Sequence, residues 1–226
     1  MKVLGIDEAG RGSVIGPMCI GGVMIEEKDE KKLKDIGVKD SKLLKREKRE
    51  ELSEKIEGIA ENCVVIRISP CKIDSNKRSG GNLNQLEAMR MADIINLTKP
   101  DKAIIDCPDN GGHKFRDYLM SYLEHKDFEL VLENKADLNY PVVSAASIMA
   151  KVSRDDSMTE LEEELGEKLG VGYPHDKYTI AHLERIAEEN NGKMPSYVRT
   201  TWDTVNRICA KYKQNSLSSF LGKLKK

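Results

Sequence analysis

The sequence lacks an excess of basic charge, because its 37 lysine and arginine residues are matched by 38 aspartate and glutamate residues. A net charge of −1 excludes a surface that attracts polyanions as a whole, so any binding of nucleic acid must rest on local contacts. Long apolar runs are also missing: the least polar stretch, residues 141–150, is too short to cross a bilayer. The first residues contain no secretory signal pattern. We expect a soluble, cytoplasmic protein with no membrane partner.

Cysteine and histidine are scarce and irregularly spaced. The five cysteines lack the close pairs of a zinc site and the density of a disulfide scaffold. We expect reduced, mostly buried thiols. The four histidines match no spacing of metal ligands, and we assign them no role. The cysteines are Cys19, Cys63, Cys71, Cys107 and Cys209, and the histidines are His113, His125, His175 and His182.

The pattern of apolar residues predicts an α/β fold. At 226 residues and 39% hydrophobic content, the chain can bury one main core and a small appendage. Three strands come early in the chain, and helices then alternate with strands, which is typical of a mixed sheet flanked by helices. Two further helices form a small C-terminal helical cap. The predicted strands are 2–6, 18–25, 63–68, 103–105 and 129–132, and the predicted helices are 44–60, 82–97, 115–123, 142–165, 179–190 and 201–212.

Four acidic residues lie where predicted strands end. Asp7 and Glu8 follow the first strand, Asp106 follows the fourth and Asp137 comes after the fifth. Side chains at strand ends meet in a crevice outside the core of an α/β sheet. Solvated loop acids are the alternative interpretation. Asp101, Asp109 and Glu133 are rivals for the same role.

Clustered carboxylates without histidine or thiolate select hard cations such as Mg²⁺ or Mn²⁺ over Zn²⁺. A cation or a proton would also relieve the repulsion between Asp7 and Glu8. Two such ions can hydrolyse a phosphodiester by in-line displacement, so phosphoryl chemistry is the leading class. The turn Gly10-Arg11-Gly12 supports this class, because its glycines allow close approach of a ligand and its arginine can meet a phosphate. An ordinary hairpin turn is the alternative.

These residues resemble the ribonuclease HII family, the type 2 ribonucleases H. The motifs are Gly5-Ile6-Asp7-Glu8-Ala9-Gly10-Arg11-Gly12, Asp40-Ser41-Lys42, Asp106, and the segment Ser144–Val152 after Asp137. The resemblance covers residues 3–203, and the first motif is highly specific. The related ribonuclease HIII shares it but has an extra N-terminal domain. The resemblance implies a ribonuclease H-like catalytic domain at 1–168, a helical cap at 169–212 and a flexible tail at 213–226.

The resemblance also implies an activity and a set of roles. The enzyme would hydrolyse the RNA strand of RNA–DNA hybrids and incise on the 5′ side of ribonucleotides in duplex DNA, in ribonucleotide excision repair and DNA replication. Gly10, Arg11 and Gly12 would meet the 2′-hydroxyl, and Tyr173 would stack on the adjacent deoxyribose. Tyr173 could otherwise be a core or turn residue. The catalytic and metal-binding residues would be Asp7, Glu8, Asp106 and Asp137.

Three polar residues are candidates for contacts with backbone phosphates. Lys42 and Lys151 carry the charge that such contacts use, and Asn84 is a weaker candidate. A lysine on a helix face is as often simply solvated. Lysines towards the C terminus, among them Lys211 and Lys213, could add local positive charge.

The C-terminal segment contains a short interaction motif. Gln214, Leu217, Phe220 and Leu221 fit the box by which replication and repair enzymes bind the sliding clamp PCNA. The three apolar residues would form one face of a helical turn that inserts into a pocket. A terminal turn packed on the enzyme itself is the alternative. The box favours an archaeal member of the family, and we expect a monomer.

Two other classes of function remain open from the sequence. One is a clamp-tethered protein that binds hybrids without cutting them, and the other is a junction-resolving nuclease of the same fold. The acid set argues against a pure binder, because clustered negative charge next to a phosphate weakens binding.

Overall fold

A five-stranded mixed sheet forms the centre of the fold in this computed structural model, which describes residues 1–38, 44–108 and 113–223, with side chains up to residue 213. The strands are β1 (Lys2–Ala9), β2 (Met18–Glu26), β3 (Asn62–Ile68), β4 (Lys102–Asp106) and β5 (Glu129–Glu133). Their order across the sheet is β3-β2-β1-β4-β5. The predicted mixed sheet flanked by helices is confirmed.

The pairing of the strands sets the position of the functional site. β1 and β2 are antiparallel over the whole of β1, from the pair Lys2–Glu26 to the pair Ala9–Cys19. β1 is parallel to β4, and β4 is parallel to β5. The C-terminal ends of these three strands therefore lie at one edge of the sheet, where α/β proteins bind ligands.

The helices agree with the sequence prediction except at four places. Two helices were not predicted, α1 (Glu30–Asp35) and α3 (Pro70–Arg78). The start of α3 carries a recognisable signal, because the hydroxyl of Ser69 accepts a hydrogen bond from the amide of Lys72 at 3.4 Å and Pro70 is the first helical residue. Asp137 lies in a short helix rather than a loop, and the last helix continues past residue 212 to Lys223. A single 3₁₀ turn spans Glu27–Asp29. The helices are α1 (Glu30–Asp35), α2 (Arg46–Ile59), α3 (Pro70–Arg78), α4 (Leu83–Thr98), α5 (His113–Tyr122), α6 (Ala136–Asn139), α7 (Pro141–Leu165), α8 (Lys177–Glu189) and α9 (Asp203–Lys223).

The chain divides into two compact units. The first contains Met1–Arg11, Met18–Arg67 and Gly81–Asp156, and the second contains Gly12–Pro17, Ile68–Gly80 and Ser157–Lys226. Each has apolar residues of its own in its interior: Ile25, Leu52, Ile104 and Val143 are buried together in the first, and Ile15, Leu183 and Val205 in the second. The domain boundaries predicted at residues 168 and 212 stay a prediction.

Two glycines bring α7 unusually close to one face of the sheet. A methyl group added to Gly5 would lie 2.4 Å from the backbone of Val142, and one added to Gly21 would lie 2.4 Å from the carbonyl oxygen of Ala146. Neither strand position can therefore carry a side chain without displacing the helix backbone. Because Gly21 pairs with Asp7, this close packing lies beside the first predicted site residue.

The cysteines carry no disulfide, and all five are free. Cys19 and Cys107 are buried, Cys63 and Cys209 are half-buried, and Cys71 is exposed, so the prediction of mostly buried thiols holds for only two of them. Within the described ranges, none of the helices combines the length and the apolar character that crossing a membrane requires.

Candidate active site

Strand geometry separates the two adjacent acids of β1. Consecutive residues of a strand point to opposite faces of the sheet. Asp7 lies on the face covered by α7, where Ser147 hydrogen-bonds to its carboxylate. Glu8 is half-buried on the other face, where it interacts electrostatically with Glu87 of α4 and with Arg11. The two acids therefore have different neighbours on the two faces, although the charge of Asp7 still raises the pKa of Glu8.

Three carboxylates converge at the C-terminal edge of the sheet. Oxygen atoms of Asp7, Asp106 and Asp137 all lie within 4.8 Å of one another. Asp7 comes from β1 and Asp106 from the end of the adjacent parallel strand β4, while Asp137 comes from α6, directly after β5. Asp7 and Asp137 are buried, with 6% and 4% of their surface exposed, so water screens their charges poorly. Glu8 does not belong to this group of three.

The turn between β5 and α6 fixes the position of Asp106. Lys135 adopts the left-handed conformation with φ of 59°, and its amide donates a hydrogen bond to Oδ1 of Asp106 at 2.8 Å. Asn134 donates from its side chain to the carbonyl oxygen of Cys107 at 3.0 Å. The segment that carries Asp137 is therefore bonded to the end of β4, which carries Asp106.

The convergence changes the acidity of the site. The pKa of Asp7 is raised to about 6, mainly by burial and also by the negative charge of Asp106, while Ser147, Lys151 and the Glu8 amide oppose both effects. Burial also raises the pKa of Glu8 well above its usual value, with the charges of Asp7 and Glu87 acting in the same direction. A group of oxygen donors that repel one another in this way suits a hard divalent cation, whose charge would offset the repulsion.

Lys151 is half-buried and lies close enough to the acidic group for its charge to act on Asp7. Its ammonium group donates a hydrogen bond to the hydroxyl of Ser147, one helical turn earlier in α7, and its charge lowers the pKa of Asp7. The two residues connect α7 to the carboxylate of Asp7. Lys151 is thus placed at the edge of the carboxylate group, on the helix that Gly5 and Gly21 allow to approach.

Arg11 is held by two residues of α4. Its Nε donates to Oε1 of Glu87 at 2.7 Å, and its terminal nitrogen donates to Oδ1 of Asn84 at 2.6 Å. The Glu87 side chain is fully buried, while that of Arg11 is 37% exposed. The preceding Gly10 has φ of 79°, a conformation that favours glycine. Asn84, predicted as a phosphate contact, therefore also positions Arg11.

Tyr173 lies beside Gly12 within the second unit. A methyl group added to Gly12 would lie 4.0 Å from the Tyr173 ring, and the amides of Val14 and Ile15 donate to the carbonyl oxygen of Gly172 at 2.8 and 3.2 Å. Tyr173 is half-buried, and its ring centroid lies 5.6 Å from that of His175. One edge of the ring therefore faces Gly12.

Two of the rival acids have other partners. Asp101 lies at the opposite end of β4, where its carboxylate accepts the amide of Lys2 at 2.7 Å. Glu133 accepts hydrogen bonds from Asn139 and from the hydroxyl of Tyr140.

Several predicted residues lie outside the described part of the chain. They include the third rival acid, Asp109, and the predicted phosphate contact Lys42 with its neighbours Asp40 and Ser41. Gln214, Leu217, Phe220 and Leu221 lie on the backbone of α9, but their side chains are outside the described residues.

Sequence reasoning missed the roles of three residues that shape the site, Ser147, Glu87 and Lys135. Ser147 lies one helical turn before Lys151 in the sequence, and that spacing places the two on one helix face, but it does not show that Ser147 hydrogen-bonds to Asp7. No local signal marks Glu87 or Lys135, because their roles depend on partners that are 76 and 29 residues away in the chain.

The chain is similar to known proteins over most of its length. The model of the family described as Ribonuclease HII matches residues 4–205. A ribonuclease HII from Methanosphaera stadtmanae is 44% identical over 92% of this chain and 94% of its own length. The crystal structure of ribonuclease H2 from Pyrococcus horikoshii has a TM-score of 0.86 at 40% identity, covering 94% of this chain and 99% of that one. The structure of the PCNA:RNase HII complex from Archaeoglobus fulgidus has a TM-score of 0.81 at 38% identity, covering 91% of this chain and 96% of that one. The chain therefore belongs to the ribonuclease HII family.

Proposed function

We propose that this protein is a metal-dependent endoribonuclease that hydrolyses the RNA strand of RNA–DNA hybrids and incises on the 5′ side of ribonucleotides embedded in duplex DNA. Family membership supports the substrate class. The observation that carries the proposal is the convergence of Asp7, Asp106 and Asp137 within 4.8 Å at the C-terminal edge of the sheet. We take the protein to act as a monomer.

The acidic residues would hold Mg²⁺ or Mn²⁺, with Asp7, Asp106 and Asp137 as the central ligands and Glu8 as a fourth. Two such ions would supply an activated water and stabilisation of the leaving oxygen, which would give 3′-hydroxyl and 5′-phosphate ends. Ser147 and Lys151 orient the Asp7 carboxylate from α7. The chain itself forms no covalent intermediate with the substrate.

The turn Gly10-Arg11-Gly12 would recognise the ribonucleotide. Its glycines allow the backbone to approach the 2′-hydroxyl, which is the group that distinguishes RNA from DNA. Tyr173, beside Gly12, would stack on the adjacent deoxyribose. Glu87 and Asn84 hold Arg11 in place, and Lys42, Asn84 and Lys151 would contact backbone phosphates.

One cleavage experiment separates this function from its rivals. The full-length protein is incubated with Mg²⁺ or Mn²⁺ and a DNA duplex containing one ribonucleotide, beside an all-DNA duplex and a four-way junction. We expect a single cut on the 5′ side of the ribonucleotide and no cut in the other two substrates. Binding without any cut would identify a non-catalytic protein, and cleavage of the junction would identify a resolving nuclease.

Substitution of the central ligands tests their role. Asp7→Asn and Asp106→Asn should abolish turnover while substrate binding persists, because both remove a metal ligand and keep the side-chain shape. The matched control is Asp93→Asn, which removes the same charge from an exposed position of α4. Turnover by Asp7→Asn at the rate of the control would refute the assignment.

The C-terminal segment would bind the sliding clamp PCNA. On the helical backbone of α9, Leu217, Phe220 and Leu221 are spaced to share one face, and Gln214 lies one turn before them. A related ribonuclease HII from Archaeoglobus fulgidus has been solved in complex with PCNA. A fluorescent peptide of residues 212–226 should bind the clamp saturably, and the same peptide with Phe220→Ala and Leu221→Ala should not. Equal binding of both peptides would remove the proposal.

A further inference from the structure

The second unit contains an open cleft of about 730 Å³ whose charge is opposite to that of the active site. Four cationic side chains line it, Lys77 and Arg78 from the end of α3, Lys193, and Lys213 from α9. Among the described residues that line the cleft, none is acidic. Such a concentration of positive charge is unexpected in a chain with a net charge of −1.

Two of the cations are held rigidly in the cleft wall. Lys77 donates to the carbonyl oxygen of Thr201 at 2.8 Å, and Arg78 donates to the hydroxyl of Thr200 at 2.6 Å. The buried Asp74 lies 3.6 Å from Arg78 and offsets part of its charge. Its oxygens also accept four hydrogen bonds, from the amides and hydroxyls of Thr200 and Thr201, at 2.6 to 3.1 Å. The wall is therefore fixed by a network that leaves the cleft positive.

The other two cations are exposed and available. Lys193 and Lys213 have no acidic partner in the part of the chain whose side chains are described, unlike the nearby Lys211, which pairs with Glu184 at 3.3 Å. A methyl group added to Gly192 would lie 2.7 Å from Cγ of Lys213, so the lysine stem packs along this glycine. The ammonium groups of Lys193 and Lys213 thus border one opening without local neutralisation.

We infer that this cleft binds the phosphodiester backbone of a nucleic acid strand, as a contact surface separate from the carboxylate group. Lysine ammonium groups act as point charges for phosphate, and the side-chain amide of Asn206 adds a neutral donor of the kind found at phosphate contacts. Four of the ten described residues that line the cleft carry a positive charge, which complements the negative charge of a phosphodiester backbone. The inference rests on the proposed function only in taking nucleic acid as the substrate.

The salt dependence of binding tests this inference directly. The full-length wild-type protein and the double variant Lys193→Gln/Lys213→Gln are titrated with a duplex containing one ribonucleotide and with an all-DNA duplex, in EDTA to prevent cleavage. If both lysines contact phosphates, the slope of log K against log salt concentration should decrease in magnitude by about 2 for both duplexes. Backbone contacts carry no sugar or sequence information, so the two duplexes should be affected alike.

The matched control is Lys28→Gln/Lys31→Gln, which removes the same charge from exposed positions at the start of α1 and the turn before it. For this control, the slope of log K against log salt concentration should stay at the wild-type value. A slope for the cleft variant equal to that of the control overturns the inference, even if the wild-type enzyme cleaves as proposed. A reduced slope together with no cleavage by the wild type would instead support the cleft and refute the proposed activity.

Discussion

The surroundings of Asp7 act on its pKa in opposite directions. Its carboxylate is buried beside Asp106 and Asp137, which favours the neutral acid, while Ser147, Lys151 and the Glu8 amide favour the charged form. The unfavourable effects prevail, since the pKa is raised to about 6. Without a cation, the residue most suited to bind one is therefore partly protonated near neutral pH.

The first prediction concerns stability as a function of pH. The folded-state pKa of Asp7 is about 6, above the unfolded value of about 3.9, so between these values the folded protein binds the extra proton. Stability from this group is then lost as pH rises from about 4 to about 6. In EDTA, Asp7→Asn should be more stable than wild type above pH 7, by up to about 3 kcal/mol, and equal to it near pH 4.

Urea unfolding at pH 4 to 8 measures this difference, and added Mn²⁺ should reduce it by stabilising only the wild type. If the advantage of the variant shrank rather than grew with rising pH, the environment described for Asp7 would be wrong.

The second prediction concerns Glu87, which holds Arg11 from a fully buried position. Glu87→Gln keeps the shape but removes the charge, so Arg11 should lose part of its orientation. We expect KM for the single-ribonucleotide duplex to rise about fivefold, corresponding to about 1 kcal/mol, with kcat little changed. Steady-state kinetics measure the split, with Glu54→Gln on the exposed face of α2 as control. A fall in kcat at unchanged KM would contradict a positioning role.

At the scale of elements, the close contact between α7 and the sheet organises the site. Gly5 and Gly21 remove the side chains that would otherwise separate them, and α7 then places Ser147 and Lys151 next to Asp7. Small residues in strands often mark such close approaches of backbone. The arrangement of Ser147 and Lys151 around Asp7 thus depends on two positions that carry no functional group.

The third prediction tests this contact with Gly21→Ala. The added methyl group would meet the carbonyl oxygen of Ala146 at 2.4 Å and the amide nitrogen of Ala150 at 3.1 Å, both backbone atoms that cannot rotate away. We expect a loss of about 1–3 kcal/mol in the free energy of unfolding, and a lower kcat/KM because α7 moves.

The control is Gly58→Ala in α2, where no atom lies within 4 Å of the added methyl group and a gain of up to about 1 kcal/mol is expected. Equal effects of the two substitutions, measured by chemical unfolding, would show that the close approach does not matter.

The elements themselves were largely predictable, because apolar periodicity and end signals are local. Asn82 and Pro100 bracket α4, and the pattern alone brings Asp106 to the end of its strand. The first strand was predicted to end at residue 6, whereas β1 continues to Ala9, so Asp7 and Glu8 lie inside the strand and alternate between its two faces. Glu87 and Lys135 could not be found, because tertiary contacts between distant residues decide their roles.

At the scale of the whole molecule, positive and negative charges nearly cancel, but they are concentrated in different places. A chain of net charge −1 holds an acidic group at the sheet edge and a basic cleft in the second unit. Such a molecule gains little from long-range steering, so tethering to a clamp would raise its local concentration on DNA instead.

The fourth prediction follows from that tethering. A chain ending at Lys213 should cleave a short hybrid as fast as the full chain, because the removed residues carry none of the proposed catalytic groups. It should lose any stimulation by clamp loaded on a longer DNA substrate. Single-turnover assays with and without clamp provide the measurement, with Ser219→Ala as a control between the motif positions. Stimulation that survives the truncation would place the clamp contact elsewhere.

The three carboxylates at the sheet edge come from positions 7, 106 and 137, so the ion they hold would be a reversible cross-link between distant parts of one polypeptide. Because the ion would bind the folded arrangement of these carboxylates, it would stabilise the folded state by mass action as well as neutralise the repulsion within it. Substrate turnover and resistance to heat should then respond to the same free concentration of divalent metal. Starvation for that metal would both silence the enzyme and expose it to degradation.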